Sequence, residues 1–151
     1  MQYQWLMNPV WGSIKSFLVI VGTLLAFPTL FTGENAEHIY MSVASSPEAF
    51  AQSSIGRLIE AHSTFAVLSV VLFSILAVGY IAELLMSVFP QSRTIKAPCV
   101  WIVCILARTP VRILLALVGM GALTITGALG GAISHGSDTD PVVKFVYSLF
   151  F

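Results

Sequence analysis

Long runs of consecutive apolar positions, separated by short polar clusters, set the pattern of this chain. No charged residue occurs from Ser16 to Thr32, from Ser63 to Ala82 or from Ile113 to Ser134. Each run approaches or exceeds the roughly 17 to 25 residues that cross a hydrocarbon core of about 30 Å. Membrane strands would alternate apolar and polar residues over about ten positions, so the runs predict helices. The expected fold is an all-α integral membrane helical bundle, a single domain over residues 1–151. Its three transmembrane helices fall at about 16–32, 63–86 and 111–133, with interfacial helical segments between and after them; a four-helix bundle is the alternative.

The links carry their own signals. Ser46-Pro47-Glu48 reads as an N-cap, a first-turn proline and a first-turn acid. The helix it starts is expected to continue through Ile55, Leu58 and Ile59 toward the second span, weakened at Gly56. Between the second and third spans, Pro98 can start a helix and Pro110 should kink or interrupt one. The apolar stretch from Cys99 to Ala107 rises only about 14 Å as a helix and suits an interfacial or partly inserted segment. After the third span, His135 to Pro141 forms a turn. Val142 to Phe151 is apolar again, too short to span, and expected along the outer interface or against a neighbouring subunit.

Composition sharpens the membrane reading: 57% of the 151 residues are hydrophobic and 9% are charged, against about a quarter charged in soluble domains. A cytoplasmic N-terminus places Lys15, Arg93, Lys96, Arg108 and Arg112 inside and only Arg57 and Lys144 outside, the sense of the positive-inside rule. The first run has no basic segment before Lys15 and no small-x-small site at Phe31-Thr32-Gly33, so it reads as a retained anchor rather than a secretory signal. No phosphate-binding glycine loop, His-Glu-x-x-His motif, serine elbow or dense basic patch is present, which leaves nucleic acid out as a partner. Cys99 and Cys104, five residues apart, read as buried small hydrophobes.

The histidines carry the candidate chemistry. His38, His62 and His135 all fall at the outer side of a three-span hairpin topology, and Gly127, Gly131 and His135 share one helix face. That face can serve helix packing or the close approach of a flat cofactor. Zinc on the three histidines, with Glu37 or Asp138 added, is a further arrangement. On the second span His62, Ser69, Leu76 and Glu83 form a heptad-spaced stripe. Glu83 is expected to pair with Arg108 or Arg112, since acids near hydrocarbon usually find a basic partner.

The segment Thr126-Gly-Ala-Leu-Gly-Gly-Ala-Ile-Ser-His-Gly136 resembles the last-helix end of a family of small, largely uncharacterised bacterial membrane proteins. Thr32-Gly-Glu-Asn-Ala-Glu37 and Ile59-Glu-Ala-His-Ser63 resemble a link and second-helix start of the same group. Some members look like b-type haem proteins. The resemblance implies haem b with iron bound by His62 and His135, His38 in reserve, and Gly127, Gly130 and Gly131 beside the macrocycle. It departs at Asn8-Pro9, where some members have His-Pro. Arg57 is the nearest outward basic group for a propionate. The expected function is an electron-transfer subunit of a respiratory or other redox complex in the bacterial cytoplasmic membrane. Its partners would be membrane or periplasmic redox subunits, or a second copy of itself; the alternative is a cofactor-free anchoring subunit.

Overall fold

The computed structural model describes residues 9–43, 46–89, 100–103, 105–106 and 109–151, and among them there is no strand. The chain is an all-α membrane helical bundle. Helix α1 covers Pro9–Val43, α2 Pro47–Gln52, α3 Ser54–Val88, α4 Thr109–His135 and α5 Pro141–Phe150; further helical backbone lies at 100–103 and 105–106. Three helices are long and apolar enough to cross a membrane, Val10–Ser42, Ser54–Val88 and Pro110–His135. Cys99, Cys104, Arg93, Lys96 and Arg108 lie outside the described residues, and with them most of the link between the second and third long helices.

The helices outrun the apolar runs that predict them. Helix α1 does not stop at Gly33 but continues to Val43, because Glu34, Ala36 and Glu37 are good helix formers; the Asn35 amide also donates to the Phe31 carbonyl one turn back, at 2.9 Å. Conversely, the helix begun at Pro47 does not run on into the second span. It ends at Gln52, and Ser53 caps a new helix, its Oγ accepting from the Gly56 N–H at 3.0 Å. Glycine is required at 56, where a Cβ would overlap the Phe50 carbonyl. Pro110, expected to kink or interrupt a helix, stands at the start of one. It falls in the first turn of α4, where its missing N–H leaves no hydrogen bond unmade.

The chain divides into two compact units, the first comprising residues up to 26 with 71–117 and the second 27–70 with 118–151. In the first, Thr23 of α1 is buried and its hydroxyl donates to the Phe73 carbonyl of α3 at 3.4 Å. Leu106 packs on Gly79, where a Cβ would stand 3.2 Å from the Leu106 Cδ1. In the second unit Leu58, Ala128, Leu129, Ala132 and Val146 form the core, flanked by Ala61, Phe65, Ile125, Ile133, Val143 and Tyr147. Small residues at Ala128 and Ala132 let α3 and α4 approach closely, the usual packing device where lipid removes the hydrophobic drive between helices.

The heptad stripe of α3 is its inward face: Ser69 and Leu76 are buried, and His62 and Glu83 partly so. The tail docks on its own chain. Gly136, at φ 93°, ends α4 in the left-handed conformation. Asp140 then caps α5 by accepting from the Val142 N–H at 2.7 Å, and Val146 is buried in the second unit's core.

Candidate functional site

The chemistry-bearing groups of the second unit meet at His62. Helix α3 places the imidazole against α4, where its Nδ1 lies 2.9 Å from the Thr126 carbonyl oxygen. A carbonyl can only accept, so Nδ1 carries the proton and donates. A neutral His62 therefore keeps its lone pair on Nε2. The ring rests on Gly130, where a Cβ would stand 3.1 Å from Cε1 and 3.4 Å from Nδ1. Thr126 and Gly130, one turn apart, thus supply the acceptor and the space for one interhelical clasp.

The other predicted site residues are placed elsewhere. Gly131 faces Val143 of α5, whose Cγ2 would lie 3.1 Å from an added Cβ, so that glycine admits the C-terminal helix. Nothing lies within 4 Å of the corresponding position at Gly127. Arg57 is exposed, and its guanidinium carbon stands 5.9 Å from the centroid of the Phe151 ring, a cation–π contact. His38 is exposed on α1, and His135 is exposed as the last residue of α4.

His62 and His135 are not brought to one point. Gly130, under the His62 ring, precedes His135 by five residues, which is about 7.5 Å along the helix axis and about 140° around it. As a single ligand His62 does fit. The donated Nδ1–H fixes the tautomer and leaves Nε2 for a metal, the usual support of a ligating histidine. Among the described residues no group of three or more His, Cys, Asp or Glu could hold a metal ion, so the three-histidine zinc arrangement is not assembled.

The first unit holds a charged cluster of its own. Arg112 of α4 pairs through its Nη2 with Glu83 Oε1 of α3. Its Nε donates to the Leu106 carbonyl at 2.8 Å, and its guanidinium carbon stands 5.1 Å from the centroid of the Tyr80 ring. The expected Glu83 partner is thus Arg112. Tyr80 and the Leu106 carbonyl were not anticipated. The signal for Tyr80 was its position, three residues before Glu83 on the same helical face.

No known protein family, curated protein or solved structure matches this chain, so the family resemblance rests on the quoted motifs alone.

Proposed function

We propose that this chain is a structural, anchoring subunit of a membrane assembly. One observation carries the reading: the candidate groups that are partly buried, His62, Gly130, Gly131, Glu83 and Arg112, serve contacts within the chain. His62 and Gly130 join α3 to α4 and Gly131 admits α5 in one unit, and Glu83 pairs with Arg112 in the other. Helix α1 supplies the surface for a partner, because only 6% of its most apolar window is buried in its own chain, against 28% and 22% for the other two spans.

A second reading is favoured by the His62 tautomer: an electron-transfer subunit holding haem b through His62 Nε2, with the sixth ligand from a partner chain or a second copy. Imidazole suits haem iron, and a fixed Nδ1–H donor is what such a ligand needs. The visible spectrum of mildly solubilised membranes, taken with blue-native electrophoresis, separates the two. A colourless protein migrating in a larger assembly supports the anchoring role. A reducible Soret band lost in His62→Ala supports the haem reading and overturns the first. A colourless monomer in mild detergent defeats both.

A further inference from the structure

Helix α5 has three sides, and among the described residues one of them packs into the protein core. At about 100° per residue, Val143, Val146, Tyr147 and Phe150 cluster on one side. The first three belong to the core of the second unit or pack against it, and Phe150 meets Phe65 edge to face at 5.3 Å between centroids. Val142, Phe145 and Leu149 form a second side, 53%, 64% and 62% exposed. Lys144 and Ser148, both exposed, form the third. The sides lie roughly 110° to 130° apart, so one helix shows separate faces to protein, to an apolar medium and to a polar one.

The contacts also give its direction. His62 beside Thr126 and Gly130 fixes the level at which α3 and α4 run past each other in opposite directions. Val143 touches Gly131 of α4, level with about residue 59 of α3. At the other end, Phe150 meets Phe65 and Phe151 meets Arg57, which brackets residue 61 of α3. The two ends of α5 therefore differ in level by only about 3 Å, although a ten-residue helix is about 15 Å long. Helix α5 lies across α3 and α4 rather than along them. Its level is about one turn inside the end of α4, beneath a polar rim of His135, Asp138, Asp140 and Arg57.

We propose that Val142, Phe145 and Leu149 insert among lipid acyl chains, so that α5 lies in the membrane plane at the hydrocarbon–headgroup boundary with Lys144 and Ser148 in the headgroup layer. The occupant of the exposed apolar side is lipid because the three long apolar helices put a bilayer around this chain. The side is continuous with the end of α4, and its depth matches the 5–10 Å to which in-plane amphipathic helices sink. Lys144, paired with Asp138 at 3.0 Å, reaches the polar turn rather than the hydrocarbon.

The test is site-directed spin labelling of the full chain carrying Cys99→Ser and Cys104→Ser, reconstituted in phosphatidylcholine vesicles. Labels go singly at 142, 145, 149 and 148, and collision rates with oxygen and with a water-soluble nickel chelate are measured. The expected result is oxygen exposure and nickel protection at 142, 145 and 149, at depths within about 4 Å of one another, with nickel accessibility at 148. A depth rising steadily by about 10 Å from 142 to 149 would mean a helix along the membrane normal. Nickel access at all four sites would mean a water-facing helix, and protection from both reagents at 142, 145 and 149 a protein partner; any of these overturns the proposal. Phe145→Leu at full assembly serves as the check that labelling at 145 has not displaced the helix.

Discussion

Breaking the Glu83–Arg112 pair should weaken the hairpin by a measurable and coupled amount. Glu83→Gln keeps the shape and removes the charge, leaving Arg112 the Leu106 carbonyl and the Tyr80 ring. A hydrogen bond between charged groups contributes about 1.5–3 kcal/mol. The two side chains remain 23% and 36% exposed, and solvent screening lowers that figure, so the expected loss is about 1–2 kcal/mol. Arg112→Gln should cost about 1 kcal/mol more, since it also removes the Nε bond and the ring contact. In a double-mutant cycle the combined variant should fall short of the sum by about 1 kcal/mol. Unfolding by increasing fraction of dodecyl sulfate in mixed micelles, followed by far-ultraviolet circular dichroism, gives the four free energies. Additivity within about 0.5 kcal/mol would refute the reasoning, because the two side chains would then be stabilised independently.

The same unfolding assay checks two further expectations. Gly130→Ala should destabilise by about 1 kcal/mol through its 3.1 Å clash with His62, and the loss should vanish in a His62→Ala background; Gly127→Ala, with nothing within 4 Å, should gain about 0.5–1 kcal/mol from helix propensity, and a loss there would show that another molecule covers that strip. Gly136→Ala should cost about 1–2 kcal/mol, because φ 93° is unfavourable for any residue with a Cβ, and an unchanged midpoint would mean that the α4–α5 turn forms another way.

The fold was legible where its cause was solvent. Uncharged runs of these lengths have no place in water, so the three long helices followed from counting. Helix ends have a different cause and were read less well. Polarity changes at Thr32, but a helix leaving hydrocarbon stops only where propensity or capping stops it, and α1 meets neither before Val43. Ser53 is a good N-cap residue, yet the stronger start signal at Pro47 drew the reading past it. Pro110 was legible as a residue that kinks or interrupts a helix, and it stands in the first turn of one.

The candidate site divides along the same physical line, between depth and direction around a helix. Depth accumulates at about 1.5 Å per residue, so a misplaced boundary shifts a residue by only a few ångströms. The hairpin alone therefore set Glu83 at the end of one span against Arg108 or Arg112 at the start of the next, and Arg112 makes the pair. Direction accumulates at about 100° per residue, so the same uncertainty turns a side chain to another face. His62 and His135 lie toward the same end of the α3–α4 hairpin, but facing each other across one iron requires directions that only packing sets. Packing turns Thr126 and Gly130 toward His62 and leaves His135 about 140° away. The sequence clue to the His62 contacts was the neighbouring i, i+4 pair: Gly130 removes the side chain that would block an imidazole, and Thr126, one turn earlier, offers the carbonyl beside that gap. A glycine strip ending in histidine drew attention to Gly127 and Gly131 instead, although a small residue is informative only once the group that fills its space is known. For Gly130 that group is His62, for Gly131 it is Val143, and for Gly127 the described chain supplies none, which makes position 127 the most direct place to look for a molecule that binds from outside.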